Sequence, residues 1–248
     1  MKRLSVLLFV LCAGLLMGFS KNELRQDMVK LDKAYIAALA VTSQDKAAES
    51  RKAMEILTGS WKGFKDRYYD ANPGDTQWRK DFDEADHMIA EAGRIVASDR
   101  KVTDAHEALE DMRMVMMKLR ARNEIEYFVD RLTAFHEPME VIVLAAKDKT
   151  PETFTDADIQ RITKTLPQAE ELWTRVTTGN LDGATYQLDA SQLERARKLI
   201  QTEQQALAAL KTALAAGDKP SIIKAAVGIK PNFAALFMIF GDFTPFKA

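Results

Sequence analysis

The apolar positions of this 248-residue chain recur at intervals of three and four from Asn22 onward. Leu24, Met28, Leu31, Tyr35, Ala38 and Thr42 form one seam, and Ala47, Ser50, Met54, Leu57, Trp61, Phe64 and Tyr68 form the next. After the breaker Asn72-Pro73-Gly74-Asp75 come Trp78, Phe82, Ala85, Ile89, Ala92 and Val96. After Ser98-Asp99-Arg100-Lys101 come Val102, Ala105, Leu109, Met112, Met116 and Leu119. This is the period of a helix that buries one narrow stripe against its neighbours, as in a bundle. No stretch alternates with period two between hairpin turn pairs, so the predicted fold class is all-α.

The second half repeats the plan. Phe128, Leu132, Phe135, Met139, Ile142 and Ala146 form a seam that ends at Thr150-Pro151. Thr155 or Asp156 can then cap a helix carrying Ile159, Ile162, Leu166, Ala169 and Trp173. A loop from Gly179 to Gly183 leads to a long helix predicted from Asp189 to Ala216, stopped by Gly217-Asp218 and restarted at Pro220. The last helix is predicted to end near Phe240-Gly241. At helix starts, Ser20 and Glu23 have the three-residue capping-box interval, whereas Thr103 and Glu107 stand one residue too far apart. The tail from Phe233 to Phe240, continued by Phe243 and Phe246, is apolar on more than one face. It reads either as the most buried helix or as a partner-binding surface.

The two halves superpose. Trp61 falls on Trp173, and the segment from Met112 to Leu119 falls on that from Ile229 to Leu236. A tandem duplication of an up-and-down four-helix bundle unit accounts for this. The first unit would be residues 21–122 and the second 123–248, joined through a helical region from Asn123 to Ala134. Pro138, Pro167 and Pro231 all fall inside helical patterns of the second unit. Each either bends a continuous helix by removing a backbone hydrogen bond or marks a break between shorter ones.

Residues 1–20 follow another pattern. A basic start, Met1-Lys2-Arg3, precedes an apolar run from Leu4 to Met17, and Gly18 and Ser20 put small residues before a cut at Lys21. That is the layout of a secretory signal peptide, too short in its apolar part to span a membrane. No later segment reaches 18 uninterrupted apolar residues, so no membrane span is expected after cleavage. The single cysteine, Cys12, leaves with the signal, which suits an oxidising compartment and excludes a disulfide framework or Cys-based metal site. Without Lys2 and Arg3, the 35 basic residues fall short of the 36 acidic ones by three, a net charge of about -3. The basic residues are scattered without interleaved aromatics, so no nucleic-acid partner is expected. The predicted location is periplasmic or secreted.

Candidate chemistry is sparse. His87, His106 and His136 are the only histidines. Glu84-x-x-His87 has the spacing of carboxylate-bridged di-iron bundles, but no second such pair exists. His106 beside Glu107 is more suggestive, as is His136. One helical turn separates His136 from Glu140, so the two can share a metal to which Met139 adds a thioether. The zinc-protease pattern, however, needs a second His where Glu140 stands. Met112, Met114, Met116 and Met117 form the densest sulfur cluster, and thioethers suit Cu(I). Met112 and Met116 lie on the core seam, while Met114 and Met117 project elsewhere. There is no Gly-x-Ser-x-Gly turn, no Cys nucleophile in the mature chain and no phosphate-cradling loop, so a non-catalytic role is predicted.

The stretch from Arg94 to Glu110, RIVASDRKVTDAHEALE, places a tight basic turn before a fourth helix. Together with the helix lengths and the long loop between the second and third helices, it resembles the soluble periplasmic b-type cytochrome four-helix bundle family over about 95 residues. The resemblance implies a four-helix bundle with haem held by a Met on the first helix and a His on the last. Met28 matches the first position, but the second falls on or near Met117, where this chain has no His.

The reading is therefore an exported helical-bundle protein that binds a protein or small-molecule partner and needs no cofactor. Its ligand is expected in the second unit at His136, Met139 and Glu140, near the bends at Pro138 and Pro231, because straight close-packed helices leave no room for one. His136 also titrates near neutral pH. The alternative is a carrier of haem b or copper using Met28, Met114 and Met117.

Overall fold

The Ser20 hydroxyl accepts a hydrogen bond from the Glu23 N–H at 3.1 Å, and the Glu23 carboxylate accepts one from the Ser20 N–H at 3.1 Å. This capping box satisfies two of the donors a helix start leaves orphaned, and it opens α1 (Lys21–Thr42). The computed structural model describes residues 20–44, 46–98 and 100–246. The signal-peptide reading falls, but for Ser20, outside the described residues. Seven further helices follow: α2 (Ala47–Tyr68), α3 (Trp78–Val96), α4 (Thr103–Arg122), α5 (Phe128–Ala146), α6 (Asp156–Thr177), α7 (Ala190–Ala216) and α8 (Lys219–Phe237). Short 3-10 turns at Met238–Phe240 and Thr244–Phe246 close the chain, and no strand occurs among the described residues. The fold is all-α.

Side-chain caps open the last three helices, whereas α2 to α5 start without one. Thr155 and Asp158 form a second capping box at α6, and Asp189 with Gln192 a third at α7. Gly217 ends α7 at φ 70°, a left-handed conformation that a side chain at Cβ disfavours, and Asp218 caps α8. Thr103 caps nothing; it is the first residue of α4, and Val102 precedes it without a side-chain bond. Helices α5, α6 and α8 run continuously through Pro138, Pro167 and Pro231, so these prolines are not breaks.

Helices α1 to α4 pack in chain order, with α1 returning against α4, and α5 to α8 do the same, with α8 returning against α5. Each set is a closed ring of four helices around apolar seams. In the first ring Trp61, Phe64 and Trp78 gather around Phe82, whose ring stacks on Phe64 at 5.6 Å. In the second, Phe135 packs on Trp173 at 4.6 Å and on Phe233 at 5.8 Å. Fully burying each such side chain contributes roughly 1.5 to 3 kcal/mol.

The expected helical join from Asn123 to Ala134 is corrected: residues 123–127 are not helical, and α5 starts only at Phe128. Glu124 takes a left-handed φ of 53°, and the Ile125 N–H donates back to the Arg120 carbonyl at 2.9 Å, which stops α4 and turns the chain. The apolar tail takes the buried alternative over much of its length. The segment Lys219–Phe240 is long and apolar enough to cross a membrane by length and composition. In the fold it packs instead against α5 and α7, with Ile222, Ile229, Phe233 and Leu236 buried.

Candidate functional site

On α4, His106, Glu110 and Arg113 stand four and three residues apart and so share one face. That face meets α1, α5 and α8 at a cleft of about 250 Å³. Ile36 and Leu39 of α1, Met139 of α5, and Phe233 and Phe237 of α8 supply buried apolar walls. Met238 lies at the edge, 39% exposed. His136 of α5 and Lys230 of α8 complete the polar side.

Hydrogen-bond logic assigns the protons. His106 Nδ1 lies 2.9 Å from the Leu39 carbonyl and its Nε2 3.3 Å from Glu110 Oε1. Both neighbours can only accept, so both ring nitrogens donate, the arrangement of an imidazolium. Burial pulls the His106 pKa down, but the bond and charge of Glu110 together with the Leu39 carbonyl outweigh it, and the net shift is upward. His136 is the opposite case. Its Nδ1 lies 2.6 Å from Arg113 Nη2, which can only donate, so Nδ1 accepts and the proton sits on Nε2. Burial and the Arg113 charge push its pKa down to about 4, which keeps it neutral. Glu110 is opposed by burial too, yet the His106 bond and the Arg113 charge hold it below the usual carboxylate range. Arg113, 7% exposed, pairs with Glu110 and keeps its Nε buried without a partner.

The structure brings together part of what the sequence singled out. His136 and Met139 line the cleft, whereas Glu140 reaches it only through Lys230, whose Nζ lies 3.0 Å from each carboxylate oxygen. His136 thus faces Arg113, and Glu140 faces Lys230. The site is also not confined to the second half, because α1 and α4 build as much of it as α5 and α8 do. Met28 is fully buried in α1, and Met114 and Met117 are half-buried on α4; none of the three lines the cleft. Glu84 and His87 are exposed on α3. Among the described residues no three His, Cys, Asp or Glu side chains gather closely enough to hold a metal. Compared with family models, with curated proteins and with solved structures, the chain has no match.

Beside the cleft, a buried polar seam joins the two rings. Arg120 of α4, 3% exposed, binds Asp130 of α5 through Nε at 3.0 and 2.9 Å, and its guanidinium lies over the Tyr127 ring at 4.3 Å. The Tyr127 hydroxyl donates to Asp32 of α1 at 2.7 Å. Burial pushes the Asp32 carboxyl up to about 6, against the opposing pull of Arg120 and Tyr127.

Arg113 and Glu110 escaped the sequence reading because each sits among the alternating charges of α4 and looks like solvated surface, and Lys230 because it is a lone cation in an apolar stretch of α8. The one available signal was the spacing of His106, Glu110 and Arg113 along a single face.

Proposed function

We propose that this chain is an exported helical-bundle protein whose role is to bind a small molecule, without catalysis, in the cleft shared by α1, α4, α5 and α8. The observation that carries the reading is the cleft itself. An apolar floor meets a few convergent polar groups, one of them a buried arginine with an unpartnered Nε, which is the usual composition of a ligand site. Export rests on the signal-like pattern of the first twenty residues.

The tandem duplication belongs to the same proposal. Trp61 lies on the second helix of its ring and donates to Asp86 on the third at 2.8 Å. Trp173 lies on the second helix of its ring and donates to the Ile200 carbonyl on the third at 3.3 Å. This correspondence supports descent of both rings from one unit, with the cleft formed where they meet.

The test uses protein purified from the periplasm of its own host, examined by native mass spectrometry and visible absorption. A stoichiometric small-molecule adduct is expected, and Ala40→Trp, which fills the cleft from α1, removes it. A bare wild-type mass contradicts the reading. A stoichiometric Soret band or bound copper that survives Ala40→Trp replaces it with the carrier reading.

A further inference from the structure

We propose that the cleft is built for an amphipathic monoanion, a single carboxylate carried on a short hydrocarbon or aryl body. The inference rests on the cleft being a ligand site and goes on to name what enters it.

The argument is an inventory of donors and acceptors. The carboxylates at the cleft are engaged. Glu110 has one oxygen facing His106 and the other facing Arg113, and both oxygens of Glu140 face Lys230. A cationic or donor-rich ligand would find no free carboxylate there. The donors are not all engaged. Arg113 Nε is buried with no partner, and His136 carries its proton on Nε2, away from the bond it accepts at Nδ1. The Lys230 ammonium is half exposed, so one of its three donors can turn to a ligand without leaving Glu140. A ligand that brings acceptors completes this set.

Charge gives the same answer and bounds the ligand's valence. With His106 protonated, three cations, His106, Arg113 and Lys230, stand against two carboxylates, Glu110 and Glu140. A surplus of one is matched by one negative charge. A dianion such as phosphate would be overcompensated, and an amine would meet three cations at close range in a partly dehydrated site.

The floor decides the rest of the molecule. Phe233, Phe237, Met139, Leu39 and Ile36 offer nothing to hydrogen-bond with, so the remainder of the ligand must be apolar. The space equals the liquid volume of about eight water molecules, enough to hold a short chain or one ring within the cleft. Met238, unbranched and exposed at the edge, can fold over bodies of different shape.

Isothermal titration of the mature chain at pH 7 with octanoate, octanol and octylamine tests this. Octanoate is expected to bind at one site per chain, octylamine to give no binding, and octanol to bind at least tenfold more weakly. Ala40→Trp should abolish octanoate binding, and Lys230→Gln should weaken it about fivefold, the upper range for one partly exposed charge contact. Octylamine or octanol binding as tightly as octanoate, and lost in Ala40→Trp, overturns the anion assignment while leaving the cleft as a site. An octanoate affinity unchanged by Lys230→Gln also overturns it. Absence of binding by all three, with wild-type protein from the host carrying no adduct, removes both readings together.

Discussion

Glu203 of α7 has no exposed surface, and neither of its carboxylate oxygens has a hydrogen-bond partner. Burial pushes its pKa up to about 8. Its folded pKa therefore lies above the ordinary carboxylate value of 4.5, and the folded state holds a proton that the unfolded state releases. Stability falls as pH rises from 4.5 to 8 and is flat beyond. We expect Glu203→Gln to leave stability unchanged near pH 4 and to raise it by roughly 2 to 4 kcal/mol at pH 8, read from urea unfolding midpoints at constant m. A gain that does not depend on pH would show that the carboxyl is not held protonated. Nothing in the sequence marks Glu203, because a Glu among Gln, Thr and Lys on a long helix reads as a solvated face. Its burial comes from packing of the next helix, α8, against α7. His106 and Leu39, or Lys230 and Glu140, are likewise brought together by packing across separations of 67 and 90 residues, which no local spacing encodes.

At the scale of the element, the boundaries that local chemistry sets were legible. The α7 start at Asp189 and stop at Gly217 follow from an acidic cap and a glycine that tolerates positive φ. The α4 end was missed because its left-handed residue is Glu124, not a glycine. These cases predict different costs. At Gly217 an added Cβ meets nothing within 4 Å, so Gly217→Ala tests the backbone conformation alone. It should lower stability by about 1 kcal/mol, measurable as a drop of a few degrees in Tm. At Glu124 the same logic runs in reverse, and Glu124→Gly should stabilise the chain by several tenths of a kcal/mol by relieving the strained φ. The continuity of α5, α6 and α8 through their prolines could not be settled from sequence, since a proline ends one helix and bends another according to what packs around it.

For the whole molecule, the all-α class was readable from periodicity, and the contact between the rings was not. One part of that contact is the Arg120, Asp130, Tyr127 and Asp32 seam. Arg120→Met leaves Asp130 half-buried beside an apolar side chain, and such a loss costs about 3 to 5 kcal/mol. Wild-type protein should unfold in one calorimetric transition and the variant in two as the rings uncouple; a single transition at lower temperature in the variant would show that the rings do not fold apart. Between pH 7 and 8, His136 at about 4 and Asp32 at about 6 are essentially titrated, while Glu203 at about 8 is not, and the upward shift of His106 acts in the same direction. Both favour the protonated fold, so overall stability should decline across that interval.

The five-residue link from Asn123 to Tyr127 spans at most about 17 Å, so the two rings never dilute away from each other. A tether of that length holds partners at an effective concentration in the millimolar range, enough to keep even a weak interface closed. The chain thus behaves as a heterodimer supplied already assembled. A single proteolytic nick within the link would convert ring association into a concentration-dependent equilibrium, and any molecule seated in the shared cleft would then act as the glue that holds the two fragments together.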